Sequence, residues 1–334
     1  MAYTDIDDPS AYFQTKLYTG TNNELVLTFD GNSDLQTDMI WTKNRSRAST
    51  NHVLSDTVRG IGKGLYPDLT NTEGDTNYVS AIGSDGYTIV ATDSVEINRD
   101  DDTFVSWNWK EQAGVFDIVS YTGNGSNRTI AHNLGVVPKM MIVKRRNADS
   151  TSWFVYHVAN GNGNVMKLDN TEAVSAYAEY WNATTPTSSV FSLGTAATAN
   201  VDGGTFIAYL FGDSSISKMG SYTANANVNG TFVFTGHKPA FLLIKNTSQA
   251  TDWIMYDNKR EGYEPQNKEF RANANAAERN AEDNNVQFCA NGFKLRNAGT
   301  KSNADSGNTL IYMSFAEQPF VTSTGNGSIP ATAR

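Results

Sequence analysis

A hexapeptide motif recurs three times along the chain at nearly equal intervals. Its tyrosines, Tyr18, Tyr121 and Tyr222, lie 103 and 101 residues apart, within the stretches LYTGTN, SYTGNG and SYTANA. Self-similarity at a fixed period marks a protein built from repeated structural units. The sequence therefore predicts three related segments of about 100 residues each.

Two further landmarks recur with the same period. Apolar strands end at Lys43, Lys144 and Lys245, two steps of 101 residues. A threonine then opens a longer apolar stretch in each segment: TFVSWNW, TFIAYLF and TLIYMSF. Together they predict an N-terminal arm (1–15), three units (16–113, 114–213 and 218–318) and a C-terminal arm (319–334).

The closing stretches alternate with the period of two that is typical of a β-strand. One face of each stretch is apolar and should point to a core: Val105, Trp107 and Trp109; Ile207, Tyr209 and Phe211; Ile311, Met313 and Phe315. The runs MMIV and FLLI are apolar on both faces, which favours central strands. The predicted class is all-β.

The middle unit contains about seven short strand patterns, around Phe116, Thr129, Met141, Phe154, Met166, Val190 and Ile207. Seven short strands in about 100 residues are typical of a β-sandwich. We therefore expect three tandem β-sandwich repeats. Short helical inserts are expected in the alanine- and glutamate-rich patches at 171–181 and 275–284.

Composition and charge exclude several classes of function. The net charge is −9 and no basic patch is visible, so nucleic-acid binding is not expected. No apolar run approaches the ~20 residues of a membrane span, so membrane insertion is not expected. The first ten residues lack the pattern of a secretion signal and Cys289 is the single cysteine, so we expect folding in a reducing cytoplasm.

No catalytic or cofactor-binding motif emerges from the sequence. The four histidines, His52, His132, His157 and His237, do not have the paired spacing of a metal site. No G-x-S-x-G motif or phosphate-binding loop is present. We expect a protein that is not an enzyme and that uses no cofactor.

One acidic cluster, Asp100, Asp101 and Asp102, precedes the first closing stretch, and Asn-x-Asp sequences precede the other two at 200–202 and 303–305. Such oxygens could bind calcium. Asn and Asp side chains also stabilise turns by bonding to nearby backbone groups, and this alternative is favoured.

Four aromatic residues occupy matching places in the second and third units: Trp153, Tyr156, Trp253 and Tyr256. Exposed aromatic rings can stack on the apolar C–H faces of sugars, so these residues are candidates for a glycan site. Core packing is the favoured alternative, because large aromatic side chains dominate cores.

The composite pattern SYTGNGSNRTIAHNLGVVPKMMIVKRR, followed by WNATTPTSSVFSLG and GGTFIAYLFG, resembles a repeat of tail-fibre and other virion structural proteins of tailed marine phages, cyanophages especially. The resemblance covers nearly the whole chain. It implies a non-enzymatic virion protein, made in the host cytoplasm and positioned on the tail rather than the head.

The function expected from this resemblance is attachment to the host surface, through a glycan or a protein. A purely structural component, in head decoration or tail assembly, is the alternative, and a polysaccharide depolymerase is the less favoured one. The partners expected are other virion proteins, and a homo-oligomer is predicted, with a trimer favoured by analogy with phage fibres.

The two arms are predicted to mediate this assembly. They lie outside the repeats and are too polar to form cores of their own. Their apolar anchors are Ile6, Tyr12, Phe13, Phe320 and Val321. The alternative is that both arms fold back on their own chain.

Overall fold

The structure is a computed structural model that describes residues 6–319, and its regular secondary structure is almost entirely antiparallel β-strand. The all-β prediction is confirmed. A 3-10 turn, Pro9–Ala11, precedes the first strand, and two single-turn helices, α1 (Ala178–Trp181) and α2 (Ala197–Asn200), lie in the second unit. No helix within 6–319 is long and apolar enough to cross a membrane.

The strands divide among the three units. The first unit contains β1 (Phe13–Thr19), β2 (Leu25–Thr28), β3 (Met39–Asn44), β4 (Val53–Asp56), β5 (Lys63–Gly64), β6 (Gly74–Asp75), β7 (Val79–Gly83), β8 (Gly86–Ile89) and β9 (Thr103–Trp109). The second contains β10 (Phe116–Thr122), β11 (Arg128–Ala131), β12 (Met140–Arg145), β13 (Phe154–His157), β14 (Asn164–Lys167), β15 (Ser175–Ala176), β16 (Val190–Leu193) and β17 (Thr205–Phe211).

The third unit contains β18 (Ser217–Thr223), β19 (Phe232–Phe234), β20 (His237–Asn246), β21 (Ile254–Asp257), β22 (Lys268–Arg271), β23 (Arg279–Asn280), β24 (Val286–Cys289), β25 (Gly292–Leu295) and β26 (Thr309–Pro319). The seven strands expected in the second unit are all present, together with β15. A helical turn occurs in 171–181 as expected. The helix expected at 275–284 is wrong, because this stretch pairs as β23 with β22.

Each unit has one large sheet, of four strands in the first unit and six in the other two, and the order of the first four strands is the same in all three. The orders are β1-β9-β3-β4, β10-β17-β12-β13-β14-β15 and β18-β26-β20-β21-β22-β23. In each case the opening strand pairs with the closing strand, which pairs with the lysine-ended strand. This repetition is what related units would give, and the exact unit boundaries stay a prediction.

A small sheet covers one face of each large sheet. The small sheets are β2-β8-β7, β11-β16 and β19-β25-β24. A separate apolar cluster fills each sandwich: one contains Tyr18 and Phe104, the next Tyr121 and Phe206, and the last Tyr222 and Tyr312. The sandwich prediction for each unit therefore matches this layering.

The inner faces of the three large sheets meet in one common core. The apolar faces of the closing strands β9, β17 and β26 all point into it, as the alternation predicted. Trp109 packs on Phe241 at a ring-centroid distance of 5.6 Å and on Phe315 at 5.8 Å, and Phe315 reaches Phe211 at 6.1 Å. The three units therefore pack against one another around this common core, and each keeps its own apolar cluster within its sandwich.

The described part of the N-terminal arm packs on its own chain. Phe13 begins β1 and contacts Trp109, Phe241 and Phe315 in the common core. Ile6 and Tyr12 pack against the same core. These three residues therefore contact their own chain, and a role of the arms in assembly stays a prediction. Phe320 and Val321 lie outside the described residues.

Because the units share a core, we expect the chain to unfold in one cooperative transition. Trp109→Ala should destabilise the protein by about 3–5 kcal/mol, the usual cost of removing a large core side chain. Val26→Ala, at a strand position that is 67% exposed, should change the stability by less than ~0.5 kcal/mol. Urea unfolding followed by tryptophan fluorescence and by circular dichroism checks this, and separate transitions for separate units would contradict it.

Candidate functional site

The repeated tyrosine of the hexapeptide anchors a loop in each unit. The hydroxyls of Tyr18, Tyr121 and Tyr222 donate to the carbonyls of Ile97, Ala199 and Ser302, at 2.8, 2.8 and 2.7 Å. Each accepting carbonyl belongs to the residue just before an asparagine. The motif therefore ties the start of each unit to the loop before its closing strand.

The asparagines that follow, Asn98, Asn200 and Asn303, are fully buried. The Oδ1 atom of each accepts the backbone N–H of Thr21, Asn124 and Asn225, respectively, at 3.0–3.1 Å. Their Nδ2 atoms donate to backbone carbonyls within the same loops, including those of Asn23, Ser126 and Asn227. These side chains hold turns together, as the favoured alternative to a calcium site predicted.

The calcium candidates themselves do not converge on one point. The Asp102 carboxylate is buried and accepts from Asn44 Nδ2 at 3.0 Å and Arg47 Nε at 2.5 Å, while Asp100 and Asp101 are exposed. Over residues 6–319, no three His, Cys, Asp or Glu side chains are grouped so that they could hold a metal ion.

Removing one buried asparagine should loosen its loop. Asn200→Ala deletes one accepted and two donated hydrogen bonds and leaves buried backbone groups without partners. We expect a loss of about 2–4 kcal/mol, because each unsatisfied buried group costs ~1–3 kcal/mol. Thermal denaturation checks this against Asn127→Ala, an exposed control in the same unit. Equal melting temperatures for the two variants would contradict the role of Asn200.

The four aromatic glycan candidates are buried, so their rings offer no face to a sugar. Trp153, Tyr156, Trp253 and Tyr256 are each at most 2% exposed. Trp153 Nε1 donates to Tyr66 O at 3.0 Å in the first unit, and Trp253 Nε1 donates to Lys167 O at 2.8 Å in the second. The structure places them in the core, as the favoured alternative predicted, where two of them join neighbouring units.

His52 replaces this tryptophan in the first unit and makes the matching contact. Its Nδ1 accepts from Trp41 Nε1 at 3.0 Å, so the proton is on Nε2, which donates to Arg271 O in the third unit at 3.0 Å. Burial lowers the pKa of His52 well below its ordinary value and keeps the ring neutral. The three equivalent side chains therefore link the units in a closed cycle.

Two of the three junctions between units contain buried ion pairs. Between the first and second units, Tyr209 donates to Asp56 at 2.6 Å, Asp56 pairs with Arg59, and Glu73 pairs with both Arg59 and Arg146 at 2.9–3.0 Å. Burial raises the pKa of Glu73, but hydrogen bonds from the two arginines outweigh this effect and lower it. The carboxylate therefore stays ionised.

The junction between the third and first units repeats this network. Trp107 Nε1 donates to Asp257 at 3.0 Å, Asp257 pairs with Arg260, and Glu278 pairs with Arg45 at 2.8 Å. Removing one partner of such a buried pair typically costs ~3–5 kcal/mol. The DTVR and DNKR sequences that open at Asp56 and Asp257 encode this shared feature.

The junction between the second and third units is uncharged at the matching positions. His157 stands where the others have Asp56 and Asp257. Its Nδ1 accepts from the Ala159 N–H, and its Nε2 lies 3.4 Å from Tyr312 O. Burial lowers the pKa of His157 to about 4, so the ring is neutral at pH 7.

The three repeated lysines, Lys43, Lys144 and Lys245, are fully buried. Their ammonium groups donate to the carbonyls of Thr50, Thr151 and Thr251, and each lies 5.5–6.0 Å from the centre of an aromatic ring. Burial lowers each pKa to about 8. An amine with this pKa could act as a nucleophile, but a substrate cannot reach a fully buried one, so the structure favours a packing role.

One carboxyl group at the link between the first and second units has an unusual environment. Glu111 Oε1 accepts a hydrogen bond from the Ile118 N–H at 2.8 Å, and the carboxylates of Asp38 and Asp117 lie near that of Glu111. Burial first, and then these two carboxylates, raise the pKa of Glu111 to about 7. Glu111 is therefore largely protonated at mildly acidic pH.

This shift predicts a pH-dependent stability difference. A folded carboxyl with a raised pKa binds its proton more tightly than the unfolded chain, so its contribution is lost as the pH rises from about 4.5 through about 7. Glu111→Gln, which stays neutral, should gain stability relative to the wild type between pH 5 and pH 8. Urea unfolding at both pH values checks this, with the exposed Glu24→Gln as control. A difference that does not change with pH would contradict it.

An exposed aromatic face lies on the small sheet of the third unit. Phe232 and Phe234 point outward from β19 and are 45% and 61% exposed, while Val233 between them is buried. A β-carbon on Gly292 of the neighbouring β25 would approach the Phe232 ring to 3.2 Å, so the ring lies close over that glycine. We call the outward side of β19, β25 and β24 the outer face.

The outer face also has polar and cationic groups beside the two rings. Lys294 is opposite Phe232 in the strand register and Gln287 on β24 is opposite Lys294. Arg296, just after β25, donates from Nε to Gln287 Oε1 at 2.7 Å. Flat apolar rings next to hydrogen-bond donors suit a ligand that is partly apolar and partly polar.

Sequence reasoning missed the outer face, although a signal was available. The third unit reads TFVFTG where the first reads LVLTFDG and the second RTIAHNLG. Only TFVFTG places an aromatic residue at both outward positions of the matching strand. The repeated landmarks drew attention to shared residues, whereas this face is specific to one unit.

Among the cavities at the surface of the described residues, two have room for a small ligand. One, of about 260 Å³, lies where residues 8–15, the 30–32 loop and the third unit meet. The other, of about 170 Å³, lies between β14 and α1 and is lined by Tyr177, Tyr180 and the Lys167–Glu172 ion pair. Surface grooves and the outer face are thus the places where ligands could bind.

The geometry describes an all-β protein of three sandwiches around a common core, with two neighbouring exposed phenylalanine rings on one strand of the third unit. The sequence profile of a family described as a domain of unknown function, DUF7483, matches residues 8–319. The chain belongs to this family. Neither the curated proteins nor the solved structures include a match to it.

Proposed function

We propose that this chain is a non-enzymatic structural protein of a tailed-phage virion, in a tail fibre or associated with the tail, that contributes to attachment to the host surface. The resemblance of its repeats to those of marine phage virion proteins supports this proposal. The observation that carries the attachment role is the outer face, with Phe232 and Phe234 exposed.

The outer face would contact a surface polysaccharide. The two rings are two residues apart on one side of a strand, so their Cα atoms are ~6.6–6.8 Å apart and their faces form one apolar strip. Apolar C–H faces of sugars would cover this strip and release water. Lys294 and Arg296 would donate to hydroxyl or acidic groups, and in a chain of net charge −9 they would orient its approach to an anionic surface.

A non-enzymatic role is supported by the state of the carboxylates in the larger cavity. A depolymerase needs a general acid and a second carboxylate about 5 to 9.5 Å apart. Asp8 accepts hydrogen bonds from Ser10 and Ser33, Asp30 pairs with Lys259 at 3.2 Å, and Glu317 pairs with Lys238 at 2.9 Å. Each of these carboxylates already has a structural partner.

A purely structural role in the virion is the second candidate, and the edge of β19 favours it. Within the described residues, β19 pairs with β25 only, so its other edge can accept a strand from another protein. The partners would then be other virion proteins. Assembly into a homo-oligomer, with a trimer favoured, stays a prediction; within the chain, Phe13 is buried in the common core, and Ile6 and Tyr12 are partly buried against it.

Loss of the two rings tests the attachment role. Phe232→Ser combined with Phe234→Ser should reduce binding of the labelled protein to susceptible marine cyanobacterial cells at least tenfold. Val26→Ser, at an exposed position on the matching strand β2, should leave binding unchanged. Both variants should keep the wild-type melting temperature, because surface substitutions usually change stability by less than ~0.5 kcal/mol.

The location of the protein on the particle separates the two candidates. Labelling at the tail tip, with loss of phage adsorption when the label is bound, supports attachment. Uniform labelling of the head, or cell binding that the double variant retains in full, would overturn the attachment role and leave the structural one.

A further inference from the structure

A lysine, an asparagine and a glutamate meet around a small cavity in the third unit. Lys238 on β20, Asn258 in the turn that follows β21 and Glu317 on β26 all line this cavity, whose volume is about 10 Å³. A cavity of that size has room for about one water molecule. The three residues therefore surround a space too small for a separate ligand, and any chemistry here is between the residues themselves.

An irregularity in the third large sheet brings Glu317 beside Lys238. The register of β20 against β26 shifts on both sides of Pro239, so that Glu317 is skipped in the ladder. The matching pairs β3–β9 and β12–β17 run in continuous register. Bulges re-aim side chains and are over-represented next to active sites. The arrangement is thus specific to the third unit and is not required by the shared fold.

The lysine is buried and in direct contact with a carboxylate. The Lys238 side chain is 4% exposed, and its Nζ lies 2.9 Å from Glu317 Oε2. Burial disfavours charged forms, so transfer of a proton from the ammonium to the carboxylate, which removes both charges, costs less here than in water. A lysine that gives its proton to an adjacent base becomes a nucleophile.

The asparagine side chain offers a group that this nucleophile could attack. The Asn258 N–H donates to Ala240 O at 3.0 Å, which holds the turn against β20. Asn258 Oδ1 is buried and has no hydrogen-bond partner within residues 6–319. A buried carbonyl oxygen without a donor is unfavourable. A protonated Glu317 could donate to it, and such a donor stabilises the negative charge that develops on the oxygen during attack.

A second amide, that of Gln266, lines the same cavity but is held by its nitrogen. Gln266 Nε2 donates to Tyr263 O at 3.3 Å and to Glu264 Oε1 at 3.0 Å. Both bonds would have to break before this nitrogen could leave. The geometry therefore favours Asn258 as the reacting amide.

We propose that Lys238 and Asn258 join in an intramolecular amide bond, with Glu317 as the group that moves the proton. Glu317 takes a proton from the Lys238 ammonium, and Nζ forms a bond to Cγ of Asn258. The bond from Cγ to Nδ2 then breaks, and Nδ2 leaves as ammonium with the two protons that Lys238 has lost. No atom is oxidised or reduced, and no cofactor takes part.

The leaving ammonium has a way out of the protein. Asn258 and Glu317 also line the 260 Å³ cavity, which opens at the surface. The new bond would tie β20 to the turn after β21 and close a loop between residues 238 and 258. It would restrict the unfolded chain as a disulfide does. Because no separate substrate is turned over, the proposal is independent of the attachment role and compatible with a non-enzymatic protein.

Mass spectrometry of the full chain tests this proposal. The purified wild type should be lighter than expected from its sequence by the mass of one ammonia molecule, and unfolding in guanidinium should not restore the missing mass. Trypsin does not cut the Lys238–Pro239 bond. The digest should therefore contain a branched peptide in which residues 219–245 are joined to residues 246–259.

Three variants assign the roles of the residues. Lys238→Arg keeps a cation beside Glu317 but has no amine that can attack, and Glu317→Gln cannot take up the proton. Both should have their full sequence mass and give no branched peptide. Lys259→Arg, next to Asn258 but exposed, should keep the bond.

The measurement on the wild type does not depend on whether a variant folds. A wild type with its full sequence mass would overturn the proposal. A loss of ammonia that persists in Lys238→Arg would also overturn it, because this loss would come from a succinimide at Asn258. A branch at Gln266 would show that the wrong amide was assigned, and a bond that forms undiminished in Glu317→Gln would remove the role of Glu317.

Discussion

The packing of three large sheets against one another is the constraint on which the rest of the structure depends. Trp109, Phe211 and Phe315 occupy matching positions on the three closing strands and meet in the common core. A large sheet that is covered on both faces must be apolar on both faces. This explains why the MMIV and FLLI runs do not alternate, and why no unit could keep its inner face dry alone.

The three junctions use different chemistry for the same geometric task. In two of them a glutamate of one unit pairs with an arginine of another, Glu73 with Arg146 and Glu278 with Arg45. The third has the neutral His157 where the other two have Asp56 and Asp257. A buried carboxylate left opposite a neutral partner would lose its compensating hydrogen bonds, which is expensive in a poorly hydrated interior. The two kinds of junction therefore disfavour an arrangement in which the units pack in the wrong order. The net effect is on specificity of packing more than on stability, since buried ion pairs are weak stabilisers.

The strand pattern could be predicted from the sequence because alternation and turn residues are local signals. The closing strands and the seven strands of the second unit are examples. The common core could not be predicted, since nothing local distinguishes Trp107, which reaches Asp257 across a junction, from a residue packed within its own unit. The same reasoning explains Trp153 and Trp253: their spacing marked them as equivalent, but their burial depends on neighbours about 85 residues away.

The stretch at 275–284 has a helical composition, yet pairing with β22 decides its structure. At the candidate site, Phe232 and Phe234 could have been found by comparing outward positions between units, whereas the cavity between residues 8–15 and the third unit lies beside a bulge in β20 and β26 that has no sequence period.

The cyclic order of the junctions has a consequence for the connectivity of the chain. The first unit contacts the third as directly as it contacts the second, and the described ends come together, because Asp8 and Ser10 line the same cavity as Glu317 and Gln318. The packing therefore does not require the two ends of the chain to lie between the first and third units. A circular permutant that joins the present ends by a flexible linker and opens the chain near residue 114 or 214 would retain every sheet and all three junctions. The order of the units along the chain is thus separable from their order around the core.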